Sequence, residues 1–253
     1  MKFGLMFKKA KELGCDYIAT GHYAKIEYSD IYNQYVLKKS NAVGKDQSYV
    51  LYNLPREMIG NVLFPLGNFT SKEEIRKIAR EHNLKIADKP DSEDICFIPD
   101  GNYKKFLEEN SDLKENPGNI VNTNGEILGK HNGLYNYTIG QRKGLGISYK
   151  EPLFVIGFNK EKNEVIVGTN LDTYKKEMYV NNLNWLLDYN FEEKKEVGVK
   201  TRYSIKESKA IIEQIDNKKV KVIFNEPAQR ITPGQSAVFY IDDIVLGGGI
   251  ICE

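Results

Sequence analysis

From Pro117 to the C-terminus no segment repeats apolar residues at helical spacing, and this break in pattern constrains the fold more than any single motif. Gly, Asn and short β-branched runs dominate there. Leu153–Phe158 and Glu164–Gly168 read as a strand pair around the turn Asn159–Asn163. Further strands are expected near 179–186, 196–203, 209–215, 219–224, 237–241 and 244–251, with Asp242-Asp243 as a tight hairpin turn. Several short strands at regular spacing predict a small barrel or sandwich.

The first part follows another grammar. Phe3, Met6, Phe7, Ala10 and Leu13 recur at helical spacing, Gly14 is a natural helix stop, and Tyr17–Thr20 read as a short buried strand. Helix, glycine, buried strand is the order of an α/β domain with a parallel sheet. Segments 25–28 and 35–39 form a hairpin. A helix runs from Ser71 to about His82, with Thr70/Glu73 and Ser71/Glu74 both fitting the capping box and Ile75, Ile78 and Ala79 as its buried stripe. Residues 88–101 read as a loop and 103–109 as a short helix. One strand and two helices are too little for a doubly wound sheet, so the sequence reads as N-terminally truncated. An apolar sheet edge left bare would favour low solubility or self-association.

At 253 residues the chain is long enough for two or three domains, and 41% hydrophobic with 28% charged residues is ordinary for a soluble protein. The formal net charge of +1 means that any nucleic-acid contact must come from local clusters of Lys and Arg. The N-terminus has no signal-peptide core and no apolar run is long enough to span a bilayer, so a cytoplasmic location and no membrane partner are expected. Cys15, Cys96 and Cys252 make no disulfide framework, and with His22, His82 and His131 scattered no metal site is expected.

The residues with chemical potential fall in five places. Cys96 lies in the polar, proline-bounded stretch from Pro90 to Asp100, where function concentrates. Asp91, Glu93 and Asp94 would disfavour its thiolate, so a reactive Cys96 needs a cation or helix N-terminus beside it. Gly21-His22-Tyr23 follows the first strand, where ligands bind in α/β sheets, although an ordinary turn reads the same way. Lys45-Asp46-Gln47 can hold a phosphate and a base edge, or be a solvated charge triplet. Gly140–Gly146 is Gly-rich and basic, fitting either RNA backbone contact or a structural turn. Arg202-Tyr203 and the turn Pro233-Gly234-Gln235 suit stacking on unpaired bases, or a pair on a barrel wall.

Taken in order, Gly14–Ala24, Lys45–Tyr49, Ile95–Ile98, Tyr137–Gly146, Thr232–Gln235 and Leu246–Gly249 resemble the bacterial tRNA-specific 2-thiouridylases across nearly the whole chain. That resemblance implies an α/β plus β architecture. Its parts would be the remainder of a Rossmann-like adenylating PP-loop domain over 1–98, a small central mainly-β domain over 99–172 and a C-terminal β-barrel over 173–253. It implies replacement of the C2 oxygen of a wobble uridine by sulfur, with ATP and Mg activating that oxygen and a sulfur-donor protein loading a persulfide on Cys96. By the same resemblance Gly21 contacts ATP. His22, Lys45, Asp46, Gln47, Arg202, Tyr203 and Gln235 contact the tRNA anticodon arm. The family's pyrophosphate-binding loop and second cysteine have no counterpart in this sequence, and neither Cys15 nor Cys252 matches that cysteine, so the polypeptide is expected to be inactive alone. Three other readings make different predictions. A non-catalytic RNA-binding fragment would bind tRNA without thiolating it. A cysteine hydrolase would use Cys96 with His22 or His131. An adenylating relative acting on a small amide would need no barrel.

Overall fold

The computed structural model describes residues 2–42, 44–85, 87, 88, 106, 109, 110, 116–204 and 206–252. Cys96 and most of the 88–101 and 103–109 segments lie outside the described residues; within the second, Phe106, Glu109 and Asn110 are helical. The chain divides into two compact units, Met1–Asp88 with Lys176–Glu253, and Lys89–Lys175.

In the first unit, α1 (Lys2–Glu12) turns Phe3, Phe7 and Ala10 onto a core that includes Ile18, Leu51, Leu54 and Val62. It stops in a Schellman arrangement, which a left-handed glycine permits: Gly14 has φ 75°, its N–H donates to Lys11 O at 3.0 Å, and Cys15 N–H donates to Ala10 O at 2.9 Å. Met6 and Leu13, expected on the apolar stripe, are 39% and 69% exposed. They lie off the Phe3–Phe7–Ala10 line. Next come β1 (Ile18–Ala19), β2 (Ala24–Ser29), β3 (Gln34–Lys39), α2 (Ser48–Leu51) and β4 (Val62–Leu63). β1 pairs in parallel with β4, as an α/β domain requires, but Ile18 alone of the expected buried strand is buried. β2 and β3 form the expected hairpin, turning through left-handed Asn33.

The helix α3 (Lys72–Glu81) uses Ser71 as its N-cap, the Ser71 hydroxyl accepting from Glu74 N–H at 3.3 Å. The Glu74 carboxylate in turn accepts from the Thr70 and Ser71 hydroxyls, so the Ser71/Glu74 box forms rather than Thr70/Glu73. Those bonds, the one from Thr70 first, hold the Glu74 carboxyl below its usual range. Ile75 and Ala79 are only half-buried and Ile78 is 40% exposed, so this stripe is not a core face among the described residues.

The second unit is a four-stranded sheet of β5 (Gly118–Val121), β6 (Ile127–His131), β7 (Phe154–Asn159) and β8 (Glu164–Gly168) in the order β6-β5-β8-β7. β7 and β8 are the predicted pair, turning at left-handed Asn163; β5 and β8 run parallel. Ile120, Leu145, Leu153, Val155, Val165 and Val167 fill its core.

The remaining strands are β9 (Tyr174–Trp185), β10 (Glu196–Lys200), β11 (Ser208–Asp216), β12 (Lys219–Gln229), β13 (Ser236–Ile241) and β14 (Ile244–Cys252). They pair in the order β13-β10-β11-β12-β9-β14, and β13 also pairs with β14, closing a six-stranded barrel. Alternation makes this possible: Val220, Val222 and Phe224 of β12 are fully buried, while the residues between them face outward. The three glycines of β14 allow close strand contact. A Cβ on Gly248 would stand 2.6 Å from Ala237 O, and one on Gly249 2.4 Å from Asn181 O. β14 also meets β3 at Ile244 and Lys38, joining the first hairpin to the barrel within one unit.

Candidate functional site

Gly21 sits just beyond the carboxyl end of the β1–β4 pair and is exposed. Neither backbone nor neighbours require a glycine there: its φ is ordinary, and the nearest atom to an added Cβ is Leu66 Cδ1 at 3.6 Å. His22 is positioned by packing, its ring 5.7 Å from Phe3 and 5.9 Å from Phe64, with Nδ1 2.8 Å from Thr20 Oγ1.

The 45–47 triplet is fastened directly to this turn. Tyr23 N–H donates to Gln47 Oε1 at 2.9 Å, and Gln47 N–H donates to Tyr23 O at 2.8 Å. Asp46 Oδ1 accepts from the N–H groups of Ser40 at 3.0 Å and Ser48 at 3.3 Å, and Oδ2 accepts from the Ser48 hydroxyl at 2.7 Å. Asp46 and Gln47 thus organise two loops, whatever else they touch. Lys45 is the exposed member of the three.

Helix α2 carries this corner onto the barrel. Ser48 Oγ lies 3.2 Å from the hydroxyl of fully buried Tyr240, and the Tyr49 hydroxyl donates to Ser236 O at 2.9 Å. Burial first, then neighbouring Tyr52, pushes the Tyr49 hydroxyl up to about 12, and burial raises that of Tyr240 as well. Arg202 and Tyr203 lie just past the end of β10 rather than within it. The Tyr203 ring is 6.4 Å from that of Tyr49, and 44% of its surface is exposed. Burial of its remaining surface raises the Tyr203 hydroxyl, with Asp46 adding to the shift and Lys45 opposing it. Arg202 donates to Thr232 Oγ1 at 2.6 Å; burial first and Arg230 second hold its guanidinium below the ordinary value. Gln235 closes the same turn: its N–H donates to Thr232 O at 3.1 Å, its carbonyl accepts from Ile251 N–H at 2.8 Å, and it is exposed.

Residues far apart in sequence therefore share one region of one unit: the Gly21 turn, the 45–47 triplet, Arg202-Tyr203 and Gln235. Ser48 and Tyr49, part of the Lys45–Tyr49 motif but given no role from sequence, join them. Lys72 and Arg76 were not singled out from sequence; desolvation first, then the nearby charges of Arg76 and Lys45, lowers the Lys72 ammonium. Two bases four apart on a helix were the available signal. Arg76 Nε is buried with no hydrogen-bond partner among the described residues. Of the histidines proposed as bases, His131 is 2% exposed. Gly133 N–H donates to its Nδ1 at 3.0 Å, so Nε2 carries the proton and donates to Asn163 O at 3.1 Å. Both ring nitrogens are occupied, which removes His131 as the base of a cysteine hydrolase.

Residues 1–100 match the family described as tRNA methyl transferase HUP domain, residues 104–169 the tRNA methyl transferase PRC-barrel domain, and residues 175–251 the aminomethyltransferase beta-barrel domain. The tRNA-specific 2-thiouridylase MnmA of Acetivibrio thermocellus is 49% identical over 251 residues, which is 99% of this chain and 70% of the relative. The chain belongs to the tRNA-specific 2-thiouridylase family. Its relatives from Caldicellulosiruptor saccharolyticus and Clostridioides difficile are 51% and 45% identical, each covering 99% of this chain and 69% of the relative. The domain descriptions speak of methyl transfer and the relatives' names of thiolation. Identity near one half along the chain outweighs a domain description. The HUP, PRC-barrel and barrel assignments agree with the Rossmann-like, mainly-β and closed-barrel architecture expected from the sequence. Among the described residues, no helix is long and apolar enough to cross a membrane.

Proposed function

We propose that this chain acts in the 2-thiolation of uridine in tRNA, gripping the tRNA through the face that carries Lys45, Tyr203 and Gln235. The reading rests on family membership and on one geometric observation: the 45–47 triplet, the Arg202-Tyr203 pair and the Gln235 turn meet around Tyr49 and Ser236. Lys45 offers a cation to a phosphate, and Tyr203 a half-exposed ring on which an unpaired base can stack. His22, Asp46, Gln47 and Arg202 are the positioning members of this face. In our reading the three functional segments are 1–98, 99–172 and 173–253, and the protein works in the cytoplasm.

ATP, with Mg, would be held near Gly21 and would supply an adenylyl group that makes the uridine C2 oxygen a good leaving group. The uridine must leave its stack to be reached, so the surrounding face holds the flanking bases. Cys96 takes a sulfane sulfur from a donor protein, becoming a persulfide. Its terminal sulfur attacks C2 as the activated oxygen departs. A second thiol, in our reading neither Cys15 nor Cys252, without which the polypeptide alone does not complete the reaction, then attacks the Cys96 Sγ, the S–S bond breaks, and its electron pair stays on the sulfur now bound to C2.

Incubation with an isotope-labelled sulfane sulfur donor, followed by peptide and nucleoside mass spectrometry, tests the chemistry. The expected result is a gain of one sulfur on Cys96, lost in Cys96→Ser while tRNA binding persists. Sulfur loaded on Cys15 or Cys252 with Cys96 unmodified overturns the assignment. Salt-sensitive tRNA binding with no sulfur on any cysteine favours a purely RNA-binding role.

A further inference from the structure

The loop 138–146 was conspicuous in sequence, and the thiolation reading gives it no role. In the second unit it is a rigid structure. Gly140 N–H donates to Val155 O at 2.7 Å and Val155 N–H to Gln141 O at 2.9 Å, so the loop is tied to the start of β7. The Gln141 side chain locks it internally, accepting from Thr138 N–H at 3.0 Å and donating to Lys143 O at 3.0 Å. Leu145 and Leu153 anchor its two sides in the core. Gln141 thus faces inward as a brace, while Arg142 and Lys143 stay exposed, with no ion pair among the described residues.

This frame borders an open groove of about 460 Å³ lined by Arg142, Gly144, Gly146, Tyr149, Lys150 and Glu151, among others. That is within the range of roughly 300–1,000 Å³ found for small-molecule sites. Gly144 and Gly146 have φ of 76° and 68°, and no protein atom lies within 4 Å of a Cβ placed on Gly146. The wall that carries two of the lining cations is therefore formed in part by backbone without side chains. Lys150 Nζ lies 5.9 Å from the Tyr149 ring, leaving a charge and an aromatic surface side by side.

We propose that this groove is a nucleotide pocket that holds one phosphate and one base of the bound tRNA, in addition to the face at Lys45 and Tyr203. Arg142 offers a planar fork of donors that matches phosphate oxygens, Lys150 a second charge, and Tyr149 a ring for base stacking. Glu151 is the acid on the wall and suits a base amino group or a ribose hydroxyl. The inference rests on the tRNA reading for the identity of its ligand, and on the groove alone for its chemistry.

The test has two arms. The ¹⁵N-labelled chain is titrated with uridine 5′-monophosphate while the Gly144 and Gly146 amides and the Tyr149 ring are followed by NMR. All three should shift together, and the Arg142→Gln/Lys150→Gln double variant should abolish the response without changing the melting temperature. In parallel, tRNA affinity is measured against salt. The double variant should lower the slope of log K against log salt by about one to two. Tyr149→Leu should weaken binding about fivefold or more at unchanged slope. Retention of parental affinity and slope in all these variants, under conditions where Tyr203→Leu weakens binding, overturns the pocket. If the parent chain binds no tRNA yet its three reporters respond to the mononucleotide, the tRNA reading fails and the pocket stands.

Discussion

The barrel and the α/β segment that precedes it share one compact unit, yet they solve the edge problem differently. Six strands close on themselves, so no barrel strand is left as an open edge, and Val180, Ile212, Val222, Phe224 and Leu246 are fully buried. The α/β segment offers two residues each from β1 and β4 as its parallel sheet, and Leu5, Leu13, Tyr17 and Leu63 around it are 70%, 69%, 55% and 47% exposed. Closure lets every inward side chain meet a partner; a two-stranded sheet of this length buries one side chain per strand, Ile18 and Val62, and leaves Ala19 and Leu63 exposed. Stability should therefore reside in the barrel, and the α/β segment should be sensitive mainly through the contacts that fasten it to β13 and β14.

The largest effect is expected at Phe224. Its replacement by Ala opens a cavity in the barrel core and should cost about 3–5 kcal/mol, a drop of roughly 6–20 °C in melting temperature. A loss under about 1 kcal/mol would mean that the barrel is not where stability is concentrated. Gly248→Ala comes next. Its Cβ would press on Ala237 O at 2.6 Å and on the Tyr52 ring at 2.7 Å, so it strains both the β13–β14 seam and the docking of α2. A cost of about 1–3 kcal/mol is expected in urea unfolding.

Tyr49 sharpens the comparison through pH. Its hydroxyl is raised above the ordinary tyrosine value, to about 12, so the folded state holds a proton that the unfolded chain releases first. Its stabilising contribution is complete below pH 10 and is lost as pH rises through about 12. Thermal melts across that alkaline window should fall less steeply for Tyr49→Phe than for the parent. Equal slopes would show that the hydroxyl is not buried against the barrel. Smallest of all, Leu5→Ala and Leu13→Ala should each change stability by less than about 0.5 kcal/mol. A larger loss would reveal a packed face where exposed side chains now stand.

The barrel was legible because its signal is local. Val220, Val222 and Phe224 alternate with lysines and isoleucine along β12, and the Asp242-Asp243 turn separates two apolar runs. β5 and β6 escaped notice because Gly118-Asn119 opens one and Ile127, 64% exposed, opens the other, which breaks the alternation. β4 and α2 have two and four residues, and tertiary contacts rather than propensity set them. The individual site residues could be named from sequence. Their convergence could not, because it depends on contacts such as Ser48 with Tyr240, 192 positions apart. Nor does a sequence say that Asp46 and Gln47 brace two loops.

The central claim is that these distant segments form one tRNA-binding face, with Tyr203 as its exposed ring. Equilibrium binding of unmodified tRNA to Tyr203→Leu, set against Leu13→Ala as a surface control, tests it directly. A loss of about 1–3 kcal/mol, roughly five- to 160-fold in affinity, is expected for Tyr203→Leu and none for the control. Unchanged affinity in Tyr203→Leu would contradict it.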